Sequence, residues 1–219
     1  MMLLLGAKPP RKNSSGVTLI GLLVGLAISM TVILAALGLF QRVVKVTVDA
    51  RQDAQTNAQR NADFVAAALL VQSAGFGISG AVWGTHGVLL QQVEWNPESQ
   101  QFSGHVSNDM HGNAIVWSEN LTGVPQCSLL WAAAHIGGLR LAGPVACTDA
   151  TQWASLDWGS FRNLNNTTRA TVTLQQDVSA CAPFGIGPAT EQARITFSAN
   201  SSSGQAMRTS VCLANVKAP

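Results

Sequence analysis

Four histidines and eleven acidic side chains are the groups in this 219-residue chain that could hold a metal or move protons. His86, His105, His111 and His135 are scattered, and His105 and His111 stand six apart, which suits neither one helix face nor a zinc finger. Loop or surface positions are expected for all four. Glu94, Glu98, Asp109, Glu119, Asp149, Asp157, Asp177 and Glu191 form no D-x-D-x-D calcium loop. The polar run S-N-D-M-H-G-N at 107–113 reads as a turn. Serine, histidine and aspartate all occur, but no G-x-S-x-G elbow presents a nucleophile. G-F-G-I-S-G at 75–80 has the letters of a dinucleotide fingerprint. That motif must follow a strand and open a helix, and here the glycines follow a helical pattern. No cofactor, no metal and no enzymatic activity are expected.

Cys127, Cys147, Cys181 and Cys212 all lie in the C-terminal half, widely spaced and outside any C-x-x-C pair. Behind an export-like N-terminus, an even count at such spacing reads as two disulfides made in an oxidising compartment. Paired cysteines do not act as nucleophiles. Three pairings are open, of which the two local ones, Cys127–Cys147 and Cys181–Cys212, are favoured. Six tryptophans are expected to fill a small core. The sequons at Asn120, Asn165, Asn166 and Asn200 read as loop composition.

Charge excludes one class of partner. Three of the 13 basic groups, Lys8, Arg11 and Lys12, fall in the first 16 residues, which hold no acid; 10 basic and 11 acidic groups remain beyond them. A body near neutrality lacks the electrostatic footprint of a nucleic-acid binder, so no nucleic acid is expected. Only 11% of residues are charged, against about 25% in typical soluble proteins.

The elements that organise the chain begin at the basic stub. Val17–Phe40 holds no charged residue. As a helix its 24 residues rise ~36 Å, enough to cross a hydrocarbon core of ~30 Å. The run is too long for the h-region of a cleaved signal peptide, and Gln41–Val44 offers no small-x-small site. Basic residues before it hold the N-terminus in the cytoplasm and send the body outward. From Arg42 to Val71 the pattern turns amphipathic without a break. Val43, Val46, Ala50, Ala54, Ala58, Ala62, Val65 and Leu69 recur at helical steps. This alanine-rich stripe is expected to dock on the chain's own β-domain, because small side chains allow close approach. The helix is expected to run from 17 to about 72 and to end at the glycines Gly75, Gly77 and Gly80.

The junction S-S-G-V-T-L-I-G-L-L-V-G-L-A-I-S resembles the type IV pilin-like class, whose leader is cut before the apolar segment. Thr18-Leu19-Ile20 and Leu22-Leu23-Val24 match that pattern closely, and Gly21 departs from it, standing where the family usually carries glutamate. A-G-F-G at 74–77, after a long helix, resembles the turn of minor pilins of the type IV pilus assembly W family, with Gln72 where arginine is common. The likeness covers residues 11 to about 40 most strongly. It implies cleavage by a prepilin peptidase between Gly16 and Val17, and N-methylation of Val17. It further implies an α+β, pilin-like fold: a long N-terminal α-helix, its apolar half transmembrane, packed on a C-terminal antiparallel β-sheet domain. A C-terminal disulfide, Cys181–Cys212, closing a loop against the last strand is also implied by the resemblance. Implied partners are the peptidase, the membrane, other minor pilins, the major pilin and the inner-membrane assembly platform. Gly21 and Gly25 form a G-x-x-x-G, with Ser29 extending the small row, suited to close helix packing.

The expected organisation is a leader 1–16, a membrane and filament-core helix 17–40, its amphipathic continuation 41–75, and a periplasmic β-rich domain 76–219 with two disulfides. Within the last, strands are expected at Gly87–Trp95, Ala114–Trp117, Ser128–Ala132, Ile136–Ala142, Ala170–Gln175, Ala193–Ser198 and Met207–Ala214. The final two are expected to pair antiparallel across the Asn200–Gly204 loop. The resulting functional expectation is a minor pilin priming pilus assembly near the filament tip. Rival readings are a minor pseudopilin of a type II secretion system and a plain membrane-anchored periplasmic binding domain.

Overall fold

A computed structural model of the chain describes residues 16, 18–133, 137–164, 171–182, 189–201 and 204–218. The fold is α+β, with one long apolar N-terminal helix, α1 (Leu19–Val71), packed on antiparallel β-sheets. The chain divides into two compact units, residues 1–51 and 52–219.

In the first unit every described residue is exposed. Thr18 starts the helix as an N-cap: its Oγ1 accepts from the Gly21 N–H at 3.3 Å, satisfying a donor that lacks a partner within the helix. No proline interrupts the chain between Pro10 and Pro97, so nothing breaks the ladder over 53 residues.

In the second unit α1 buries Phe64, Ala67, Ala68 and Val71, a set spaced i, i+3, i+4, i+7. The stripe expected to dock does not: Val43, Val46, Ala50, Ala54, Ala58, Ala62, Val65 and Leu69 are all exposed. The reason is apolar area. Phe64 offers far more of it than any alanine on the stripe, and its ring meets Phe197 at 6.2 Å. Arg60 fixes the same rotation, its Nη1 donating to the Asn200 carbonyl at 2.8 Å.

The helix exit is locked by glycine. Gly75 and Gly77 have φ of 74° and 73°. The Gly75 N–H donates to the Ser118 carbonyl at 2.8 Å, and the Asn120 N–H donates to the Phe76 carbonyl at 2.8 Å. A Cβ on Gly77 would lie 2.1 Å from the Asn120 oxygen, so no side chain fits there.

The strands form two sheets. The larger has six strands in the order β2-β1-β4-β5-β6-β7. They are β1 (Gly87–Asn96), β2 (Gln101–Val106), β4 (Ala114–Glu119), β5 (Gln126–Ala132), β6 (Leu139–Ala146) and β7 (Phe161–Asn163). The smaller sheet has the order β10-β9-β8-β3, with β3 (His111–Gly112), β8 (Thr173–Cys181), β9 (Thr190–Asn200) and β10 (Ala206–Lys217). β9 and β10 pair antiparallel, with Thr196 opposite Ser210, as their period-two sequences require. The strands β2, β3 and β7 and a 3-10 helix, Ala150–Ala154, add to the expected set. Ile136, at the expected start of β6, lies outside the described residues.

Two cores share the six-stranded sheet. The first joins α1, the four-stranded sheet and residues such as Ile115, Trp117 and Leu141. The second lies on the opposite face and is rich in rings: Phe102, Trp131, Trp153 and Trp158 are all buried there. β4 reads A-I-V-W-S-E and is buried at every position, because its two faces line different cores. Trp117 is buried in the first core, and Trp83 and Trp95 are half-buried.

Candidate functional site

The first candidate is the exposed apolar stretch of α1. Its leucines, isoleucines and valines from Leu19 to Phe40 stand half or more open to solvent. This stretch is long and apolar enough to cross a membrane, and none of it is buried within the chain. Its hydroxyls are satisfied within the helix: Ser29 donates to the Gly25 carbonyl and Thr31 to the Ile28 carbonyl, each at 2.8 Å. Such back-bonding leaves no unpaired polar group for lipid to desolvate.

Gly16 is described and exposed, whereas Val17, its partner at the expected cleavage junction, lies outside the described residues. Gly21 and Gly25 are four apart and therefore share one helix face. A Cβ on Gly25 would meet nothing within 4 Å, and one on Gly21 would meet only the Thr18 hydroxyl at 3.2 Å. The two glycines open a shallow backbone-lined notch on an otherwise branched, apolar surface.

The cysteines form Cys127–Cys147 and Cys181–Cys212, with Cα separations of 5.7 and 6.1 Å. The first joins β5 to the segment after β6. The second joins the end of β8 to β10.

The chemistry-bearing side chains remain apart. His86 Nδ1 accepts from the Val82 N–H at 3.2 Å. His105 and His111 are exposed, and His135 lies outside the described residues. Asp109 accepts from Ser107 Oγ at 2.9 Å and from the His111 N–H at 3.2 Å, and these bonds, Ser107 first, hold its carboxyl below the usual carboxylate range. They close a local turn. Among the described residues no three His, Cys, Asp or Glu side chains gather as metal ligands. Asp177 pairs with Arg194 across β8 and β9, Nε to Oδ1 at 2.9 Å, and the guanidinium lowers the Asp177 pKa.

One arrangement had no forerunner in the sequence. Arg140 on β6 lies directly opposite Trp131 of β5 and Asn163 of β7. Its guanidinium carbon stands 5.8 Å from the Trp131 ring centre and 5.1 Å from that of Phe161. Trp95 meets Phe161 edge-on at 5.3 Å and Phe102 at 4.8 Å. Rings from β1 and β2 thus reach a ring on β7, so the six-stranded sheet curls until its two edges share one aromatic cluster.

The chain matches no family model, no curated protein and no solved structure.

Proposed function

We propose that the chain is a minor pilin that primes assembly of a type IV pilus, near the filament tip, together with other minor pilins. The observation that carries the reading is the junction at Gly16. A basic, acid-free stub meets a run there that is uncharged to Phe40, and the helix that holds this run continues without a break into the second unit. An apolar rod exposed over its whole first half needs a non-aqueous surrounding. A bilayer supplies one in the precursor. Packed helices of other subunits supply one in a filament, where van der Waals contact and small residues decide association.

In this reading, a prepilin peptidase removes residues 1–16, Val17 becomes the methylated N-terminus, and the second unit stands in the periplasm. The platform in the inner membrane then extracts the helix toward other minor pilins and the major pilin. The new α-amino group is charged, and burying it unpaired costs several kcal/mol. A glutamate at position 21 would neutralise such a charge, and Gly21 does not. A subunit at the filament end places its missing carboxylate against no following neighbour, which favours the tip over the shaft. The Gly21–Gly25 notch gives a partner helix close access to the backbone.

Intact-mass spectrometry of the protein from cells with an active prepilin peptidase tests the reading. The expected species begins at Val17 and carries one added methyl group. A protein that keeps Lys8 through Gly16 would reduce the chain to a membrane-anchored domain. Gly21→Glu tests the tip position: incorporation along the shaft only in the variant supports it, and equal incorporation of both forms counts against it.

A further inference from the structure

The outer edge of β10 is a feature that neither the fold nor the assembly reading uses. A sheet edge carries unpaired N–H and C=O groups, a template for any extended chain that reaches it. Three edges of the two sheets are short or distorted. β3 has two residues and β7 three. β2 holds Gly104 at φ 145°, where its register with β1 shifts. β10 differs from all three. It stands last in its sheet, and residues 206–212 keep unbroken register with 200–194 of β9. Lys217 at its end donates to the Ala81 carbonyl and accepts from the Trp83 N–H, each at 3.0 Å; among the described residues no main-chain bond from outside the sheet reaches 206–216. The strand has no proline, and its one lysine is Lys217, where the edge is already taken, so the usual devices that blunt an edge are missing over its length.

Side chains decide what pairs there. Val211 and Leu213 belong to the first core, and Met207 packs against it. Alternation sets Arg208 and Ser210 on the other face. Ser210 is taken by Thr196 at 2.8 Å. Arg208 is exposed, and among the described residues no acid pairs with it; Asp177, two strands away, is held by Arg194. The edge therefore presents one free cation between backbone groups, which complements a carboxylate on an added strand.

A second copy fits poorly. Arg60 bonds to Asn200, opposite Ala206, and a Cβ on Gly75 would lie 2.8 Å from Val216, so α1 runs along β10 in the same direction. Antiparallel pairing of two β10 edges would turn the two helices in opposite directions, against the common direction that anchorage in one membrane imposes. Parallel pairing would set the core-side face of one strand beside the wet face of the other.

We propose that the β10 edge takes up an extended segment of a partner protein as a further strand, its apolar residues on the first-core side and a carboxylate opposite Arg208. The surface lies wholly in the second unit; only the preference over a second copy draws on the membrane reading.

The fluorescently labelled peptide TVTVEVTVT, blocked at both ends and titrated into the full-length protein in detergent, tests it. Saturable binding is expected, with slowed hydrogen exchange in residues 206–214 read by mass spectrometry. N-methylation of the valine and threonine amides removes the donors and should abolish binding. Lysine in place of the glutamate should weaken it about twofold to fivefold, and Arg208→Glu should reverse that preference. The peptide comparisons use the unaltered chain and stand even if the variant does not fold. Absence of saturable binding, equal binding of the N-methylated or lysine peptide, an unreversed preference, or protection centred on β2 would each overturn the proposal. So would a dimer of the unaltered chain in which 206–214 is protected without peptide, which would assign the edge to a second copy.

Discussion

Residues 19–51 and 52–71 of α1 share one unbroken backbone and differ in what surrounds their apolar side chains. In the first stretch Leu, Ile and Val are all exposed. In the second, one face buries Phe64, Ala67, Ala68 and Val71, and Arg60 bonds to Asn200 at the end of β9. The first stretch has apolar surface and, among the described residues, no side chain packed against it. The second has little apolar surface and uses most of its large side chains. Helix stability in proteins comes mainly from tertiary packing; the second stretch has that packing from its own β-domain, and the first, long and apolar enough to cross a membrane, has none among the described residues.

Substitutions can break that contrast from either side. Phe64→Ala should cost the second unit about 3–5 kcal/mol, because it leaves a cavity at the junction of helix and sheet; urea denaturation followed by tryptophan emission measures it. A charge in the first stretch acts elsewhere. Leu26→Arg should cost about 3 kcal/mol of membrane insertion, scored by a glycosylation-mapping assay, while the unfolding midpoint of the second unit stays unchanged. A shared loss of stability would mean that the first stretch is not independent of the β-domain.

Two smaller effects sharpen the comparison within the second unit. The Asp177–Arg194 pair is about one-third exposed, so solvent screening limits it to ~1 kcal/mol or less. Because Arg194 lowers the folded-state pKa of Asp177, its contribution is present above the usual carboxylate range. It is lost as pH falls through the lowered value. The difference in melting temperature between wild type and Asp177→Asn should therefore be seen at neutral pH and vanish in acid. Leu69→Ser, on the stripe that faces away from the core, should shift stability by no more than ~0.5 kcal/mol. A loss like that of Phe64→Ala would restore the stripe as a docking face.

What was legible in the sequence followed from local rules. Uncharged length marked the apolar helix, three glycines marked its end, and alternation in R-I-T-F-S and R-T-S-V-C-L marked β9 and β10. The favoured local pairing of the cysteines is the one the structure holds. Choosing the buried face of α1 needed more, because the alanine row and the Phe64 row share the same period and only packing against Phe197 separates them. β7 has three residues and β3 two, too few for any period to emerge. β2 carries Gly104 at φ 145°, where an added Cβ would press on Val93, and the glycine blurs its alternation. Arg140 was missed for a related reason. Leu139-Arg140-Leu141 reads as a half-buried strand with arginine on the wet side. A layer of rings gathered from β1, β2, β5 and β7 covers that side, and no local pattern reports a layer assembled from such distant segments.

The locked turn at Gly75–Gly77 bears on how the second unit responds to load. One main-chain bond to Ser118 of β4, the third of six strands, and a second bond and a contact that tolerates no side chain at Asn120, the residue just after it, hold the helix exit. A twist or pull reaching Val71 is therefore delivered to the interior of the sheet and spread over neighbours on both sides.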